Sequence, residues 1–317
     1  MLKLFITEES NDQRADRYLH KLLDVPKAVV QKWFRTKKVR KNGRHIQASD
    51  RVYTKDEIVL YAQADFRKKA LPDQKGDRYE PEIVYENKDL LILYKPPGQL
   101  SHAAHGQEYG KNLVDGMIRR LMRTGEYVPR MNESFTPAIV NRLDRNTGGL
   151  IIGAKNYESL KVLNEAMRNN EIEKYYKALT YGKALAPGKY ENYLTKNEAQ
   201  LTSRITEDGK YVRLDILDAK NYGHFTLHTM QLHTGRTHQI RAQMQALGTP
   251  VAGDPKYGNT RINKQLQQKG FCHQYLLADA LTFRSHHPLL LPLLDQTIQL
   301  EPKPVYQNML NIARSLP

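Results

Sequence analysis

The stretch that most constrains the chain is residues 136–155, TPAIVNRLDRNTGGLIIGAK. Ala138, Ile139 and Val140 precede an acidic turn, and Leu150, Ile151 and Ile152 follow it. Short, β-branched apolar runs of this kind predict buried strands. Thr147-Gly148-Gly149 between them permits a tight turn. Asp144 is therefore expected in a loop held by two rigid strands, where catalytic groups concentrate. Arg142 and Arg145 flank it, and a guanidinium within reach favours the charged carboxylate. Taken alone, the pattern also fits a turn aspartate with surface ion pairs, because Asp and Gly are common turn residues.

Charge narrows the choice of partner. The 317 residues carry 49 Lys and Arg against 34 Asp and Glu, a net charge of +15. Such a balance points to a polyanion, with nucleic acid first and a membrane surface second. No apolar run approaches the ~20 residues that span a bilayer. The opening MLKLFITEESND is too acidic for a secretion signal. The single cysteine, Cys272, excludes an internal disulfide or a thiolate metal cluster and fits a reducing, cytoplasmic setting. It reads as a small buried or half-buried residue. No G-x-G occurs, so a dinucleotide fingerprint is absent.

Much of the charge lies near the start. Residues 12–60 hold thirteen basic and six acidic residues, a net +7. Tyr18, Leu19, Leu22 and Leu23 make one apolar face at helical spacing, and a second helix is expected from Pro26 with Val29, Val30, Trp33 and Phe34 inward. Asn42-Gly43 between Val39 and Ile46 signals a hairpin, and residues 57–62 read as a closing strand. Lys27, Lys32, Arg35, Lys37, Lys38, Arg40, Lys41 and Arg44 form a run with no acid among them. Solvated faces normally mix signs, so this one-signed run is read as a phosphate-contacting surface.

Residues 63–80 are polar and aperiodic, which predicts a linker. Leu90 to Tyr94 reads as a strand ending in the Lys95-Pro96-Pro97-Gly98 turn. Helices are expected over 111–124 and 156–168, the latter with Leu160, Leu163, Ala166 and Met167 as core. Lys174, Tyr176 and Ala178 alternate along an extended segment, so they point the same way. A strand tyrosine is usually core. Residues His238 to Leu247 look helical, with Arg236, His238 and Arg241 near the start, a place suited to anions. A lone histidine there is more often structural than a base. Strands are expected over 275–283 and 289–300, and a helix near 304–315.

Three of these segments together resemble the RluA-type pseudouridine synthases. NRLDRNTGGLIIGAK is similar to that family's H-R-L-D-x-x-T-S-G-L, apolar strand and A-K. Asn141 stands in the histidine's place and Gly148 in the serine's. Lys174-x-Tyr176-x-Ala178 resembles K-x-Y-x-A. Residues 234–258 resemble T-G-R-T-H-Q-I-R…L-G-x-P-x-x-G-D-x-x-Y-G almost without gaps. The turn at Lys95 is similar to N-K-P-x-G, with Tyr94 replacing the asparagine. The basic N-terminal unit resembles the S-four-like RNA-binding domain, with Lys37-Lys38 where its glycine precedes V-R. The K-P-P-G turn and domain order are similar to the large-subunit rRNA branch often called RluC.

The resemblance implies an α+β protein. A catalytic domain over 81–302, built on a central mixed and mainly antiparallel sheet, would follow a small α/β RNA-binding domain at 12–62, with a C-terminal helix over 303–317. It implies isomerisation of uridine to pseudouridine, in which the N1–C1′ bond breaks, the base turns, and a C5–C1′ bond forms. No atoms are gained or lost, so no cofactor or metal is expected. Asp144 would be the catalytic carboxylate and Arg241 its partner. Tyr176 would stack on the base and be able to act as general base. Arg142 would displace the base from its stack, while Lys174 and Arg236 would shape the site. The expected partner is RNA, large-subunit rRNA before tRNA, acted on by a monomer. A lapsed synthase that only binds RNA is the alternative. An appended methyltransferase would need a glycine-rich cofactor loop, which is absent.

Overall fold

A computed structural model of the chain describes residues 1–317 except 8, 9, 24, 65–78, 104–107, 109, 128–134, 198–201, 272 and 317. Cys272 and most of the expected linker thus lie outside the described residues. The chain divides into two compact units, Met1–Lys75 with Ile118–Pro137, and Gly76–Met117 with Ala138–Pro317. No described helix is long and apolar enough to cross a membrane.

In the first unit, β1 (Leu2–Phe5) and β2 (Gln13–Arg14) precede helices α1 (Ala15–Leu22) and α2 (Lys27–Arg35). Strands β3 (Val39–Lys41), β4 (Arg44–His45), β5 (Arg51–Val52) and β6 (Glu57–Leu60) follow. Four of them make an antiparallel sheet in the order β1-β6-β3-β4. Pro26 is the N-cap of α2, one position earlier than expected. Its missing N–H costs nothing there, because the first helical donors have no partner within the helix. Trp33, Phe34 and Val30 on α2 join Tyr18, Leu19 and Leu22 on α1 in one core. Asp16 ties the helices by accepting from the Arg17 backbone and from Gln31 Nε2, each at 2.8 Å. Asn42 and Gly43 both take positive φ, 49° and 80°, as a two-residue hairpin turn requires. Lys37 takes φ 55°, so a lysine adopts the left-handed conformation at the place where a glycine was expected.

The second unit is built on one sheet. Its strands are β7 (Glu82–Glu86), β8 (Leu90–Lys95), β9 (Ala138–Ile139), β10 (Gly148–Ala154), β11 (Ile172–Tyr181), β12 (Gly188–Asn197), β13 (Thr202–Thr206), β14 (Lys210–Tyr222), β15 (Phe225–Leu232), β16 (Leu276–Phe283) and β17 (Thr297–Gln299). The order is β13-β12-β14-β15-β11-β16-β10-β8-β7, with β17 on β16 and β9 on β10. Among its described strand pairs only β10–β16 is parallel, so the sheet is mixed and mainly antiparallel, in an α+β fold. Helix α3 (Leu113–Arg123) contributes residues to both units. The second unit's other helices are α4 (Tyr157–Arg168), α5 (Gln239–Ala246), α6 (Thr260–Gln268) and α7 (Pro304–Arg314). Asn156 begins α4 with a reciprocal capping box to Ser159.

The expected strand over 289–300 is not a single strand. Leu291–Leu293 forms a 3-10 turn around Pro292, and only Thr297–Gln299 pairs. Proline there lacks the donor a ladder needs, so the apolar run packs as a turn. Leu290, Leu293 and Leu300 enter the main core with Leu150, Ile152, Leu277 and Leu281.

Candidate active site

Five side chains pin the turn that carries Asp144. Asn141 bridges to β10, accepting from the Ile152 N–H at 2.8 Å and donating to the Leu150 carbonyl at 3.2 Å. Ser101 Oγ accepts from the Leu143 N–H and donates to its carbonyl. Lys95, fully buried at the end of β8, donates to the carbonyls of Pro96, Gln99 and Arg145 at 3.1, 2.7 and 2.9 Å. Gln274 Nε2 donates to Thr147 Oγ1 at 2.8 Å, and the Gly148 N–H donates to the Tyr306 hydroxyl at 3.1 Å. The turn closes on itself through Thr147 N–H to the Asp144 carbonyl, 3.1 Å. Burial pushes the Lys95 ammonium down to about 7, while the charge of Asp144 acts in the opposite direction. Three carbonyl acceptors within reach match the three donors of its charged form.

Neither flanking arginine holds Asp144. Arg145 pairs with Glu108 at 2.7 Å, and Arg142 lies exposed at the rim. Neighbours on a tight turn point away from one another, so sequence adjacency does not give contact. The partner comes from 97 residues further on. Arg241 Nη1, on α5, donates to Asp144 Oδ2 at 2.8 Å. The same guanidinium makes a two-pronged pair with Asp254, Nε to Oδ2 at 2.7 Å and Nη2 to Oδ1 at 2.9 Å. Asp254 also accepts from the Lys256 and Tyr257 N–H groups. Burial acts to lower the Arg241 pKa, but the hydrogen bond and charge of Asp254, with those of Asp144, outweigh it and raise it. A permanently charged fork buried between two carboxylates is rigid, because loss of either partner would leave charge uncompensated.

His238 enters from the N-cap of α5 in the left-handed conformation, φ 55°. The Ser203 N–H donates to the Tyr257 hydroxyl at 2.6 Å, and that hydroxyl shares a hydrogen bond with His238 Nδ1 at 3.0 Å. His238 Nε2 faces Asp144 Oδ2 at 3.7 Å. Burial lowers the imidazole pKa, against the pull of Asp144, so the ring is neutral at ordinary pH.

Tyr176 is buried on β11. A register shift between Tyr175 and Tyr176, opposite β16, sets the strand at this point; such bulges re-aim side chains. Burial, and then the charge of Asp144, raises its phenol far above the usual tyrosine range. A phenol that keeps its proton is a stacking surface and a donor; it becomes a base only after handing the proton on.

A cleft of about 130 Å³ brings together Arg142, Asp144, Tyr176, Arg236, His238 and Arg241. A second cavity of about 290 Å³ shares Arg142, Tyr176, Leu232 and Gly235 with it and adds Lys174 and His102. Lys174 is almost wholly buried, which lowers its pKa. All six residues expected at the catalytic domain's site thus line these two cavities. The eight basic residues expected to contact phosphate lie in the first unit. Lys27, Lys32, Arg35, Lys37, Lys38 and Arg44 are exposed there. Arg40 and Lys41 are half-buried, over the rings of Tyr61 and Tyr53.

Sequence reasoning assigns no role to Asp254, Lys95, Ser101, Gln274 or Tyr306. Asp254 sits in the same string as Arg241, where the G-D-P-K-Y-G run is a usable signal. No described group of three or more His, Cys, Asp or Glu is arranged to hold a metal ion.

Asp144 is thus seated on the buried Arg241, with the buried Tyr176 lining the same cleft. The RNA pseudouridylate synthase family model matches residues 89–246. The chain belongs to the RluA-type RNA pseudouridine synthases, the enzymes that isomerise uridine in RNA. It is 31% identical over 294 residues to a ribosomal large subunit pseudouridine synthase C of Pasteurella multocida, covering 90% of this chain and 86% of the relative. It is 31% identical over 255 residues to the uncharacterized RNA pseudouridine synthase YlyB of Bacillus subtilis, covering 80% of this chain and 81% of the relative. Human RNA pseudouridylate synthase domain containing 4 shares the fold, with a TM-score of 0.55 at 18% identity over 73% of this chain and 92% of that one.

Proposed function

We propose that this synthase acts on uridines of large-subunit ribosomal RNA, with Asp144 as its catalytic carboxylate. The observation that carries the reading is the Asp144–Arg241–Asp254 chain of charge at the floor of the cleft. A glycosidase needs two catalytic carboxylates because the leaving group departs and water enters. Here the leaving base returns, so one ionised carboxylate suffices, as nucleophile or as base at the sugar. Arg241 holds it charged and oriented, and Tyr176 stacks on the uracil. Arg142, exposed at the rim, fills the gap left when the uridine leaves its stack, a step that costs a few kcal/mol. Lys174 and Arg236 shape the two cavities around the nucleotide. Residues 12–62 form the RNA-binding domain, with the basic run on α2 and its following hairpin against phosphates.

The preference for large-subunit rRNA rests on the likeness to the Pasteurella synthase, whose name carries that substrate. Pseudouridine maps of rRNA and tRNA from cells with and without the gene test it. Loss at one or a few large-subunit positions, with tRNA unchanged, is expected; loss confined to tRNA would defeat the substrate assignment. Restoring Asp144→Asn in place of the wild-type gene should leave those positions unmodified, because the change removes charge and nucleophilicity at constant shape. Restored modification would remove Asp144 from the chemistry.

A further inference from the structure

Two of the chain's departures from its family pattern, Tyr94 for asparagine and Gly148 for serine, meet the same C-terminal segment. Lys303, the N-cap of α7, lies 4.9 Å from the centre of the Tyr94 ring and pairs with Glu82. Three residues on, Tyr306 reaches the catalytic turn. Its hydroxyl accepts from the Gly148 N–H at 3.1 Å and donates to the Leu276 carbonyl at 3.2 Å, so it joins β10 to β16 where those strands run parallel. Its ring packs edge-on against Tyr275, 4.9 Å between centroids. A Cβ at residue 148 would collide with the Tyr306 hydroxyl and press on Pro97 Cδ at 3.2 Å. Burial first, and the nearby Tyr94 second, keeps this phenol protonated and able to donate.

From this we infer that Tyr306 is a positioning residue for the isomerisation: its hydroxyl occupies the space that a side chain at 148 would take and fixes the turn that aims Asp144. Glycine at 148 is then a consequence of Tyr306 and leaves the turn fully anchored. The inference rests on Asp144 being the catalytic carboxylate. The Gly148 N–H donates to the Tyr306 hydroxyl, and Asp144 lies only four residues before it. Loosening that N–H therefore frees the carboxylate to leave the geometry set by Arg241, and near-attack geometry is sensitive to shifts of about 1 Å.

The test uses the full chain and a uridine-containing large-subunit rRNA transcript. Wild type is compared with Tyr306→Phe, Gly148→Ser, the double variant, Asp144→Asn, and Arg314→Ala. The last removes a different α7 contact, the guanidinium 4.5 Å over Tyr222. Tyr306→Phe should lower the single-turnover rate about tenfold, the worth of one hydrogen bond, with RNA affinity unchanged. Gly148→Ser should lose more, and the double variant should recover part of that loss, since the colliding oxygen is gone. Independently of substrate, amide exchange over residues 143–149 should speed up in Tyr306→Phe and not in Arg314→Ala. A wild-type rate or unchanged exchange in Tyr306→Phe overturns the inference. So does a loss shared with Arg314→Ala, or serine at 148 being equally harmful with and without the Tyr306 oxygen. Activity surviving in Asp144→Asn would instead bring down the assignment of the carboxylate, and the exchange result would still decide the clamp.

Discussion

Asp254 stands behind the site and touches no substrate-facing space of its own, yet it fixes Arg241 through two hydrogen bonds while Arg241 spends one on Asp144. Removing one partner of a buried ion pair costs about 3–5 kcal/mol because the other charge is left uncompensated. Asp254→Asn should therefore lower unfolding stability by about that amount and cut turnover as Arg241 swings from Asp144. Urea unfolding and single-turnover assays would read both; a variant within about 1 kcal/mol of wild type would show that Arg241 needs no second anchor. At this scale the sequence is partly legible. Asp144, Tyr176 and Arg241 stand out in their strings. Adjacency along the chain points to Arg142 and Arg145 as the groups that hold Asp144, and that is where it misleads. A side chain's partner is set by where the strands and helices cross, and Arg241 arrives on α5 from another part of the sheet.

At the scale of elements, the decisive feature is the close approach of β10 to β16. Gly149 has φ 127°, and a Cβ there would run into the backbone of Ala278. Gly149→Ala should thus disrupt this parallel pair. Loss of soluble protein, or a melting temperature lowered by several degrees, is the expected outcome of strain on that scale. An alanine variant with an unchanged melt would mean the strands separate without cost. Gly153 offers a contrast, since the atom a Cβ would meet is the sulfur of Met117, on a flexible side chain. Period and turn chemistry make most elements legible: the Asn42-Gly43 hairpin, α4, and the strands around Asp144. They fail at 289–300, where a continuous apolar run looks like strand. Hydrophobicity predicts burial there correctly, but Pro292 decides the local conformation.

Across the molecule, charge is unevenly distributed. The run from Lys27 to Arg44 leaves six exposed basic side chains in the first unit, while the lysine and arginine side chains lining the two cavities are four, Arg142 and Arg236 exposed and Lys174 and Arg241 buried. Replacing Lys32, Arg35 and Lys38 with glutamine should leave folding intact, because all three are exposed. The slope of log affinity against log salt should fall by roughly 0.7–0.9 for each phosphate that the variant no longer neutralises. Filter binding from low to moderate salt would measure it, and an unchanged slope would take RNA binding away from this surface.

The sequence by itself determined the family, the α+β class, the hairpin and helices of the basic unit, and which carboxylate to propose for catalysis. Each of these is written in local pattern: residue period, turn residues, charge sign and contiguous motif. The pairing of Asp144 with Arg241 was already implied by the resemblance of their two motifs; only the tertiary structure decided what else surrounds the carboxylate. Gly148 and Tyr306 are separated by 158 positions, and Gln274 and Thr147 by 127. No local rule couples residues that far apart. Their meeting follows from strand order, with β16 laid parallel to β10 and α7 returned against the same turn, and those pairings depend on packing that the chain acquires only when folded.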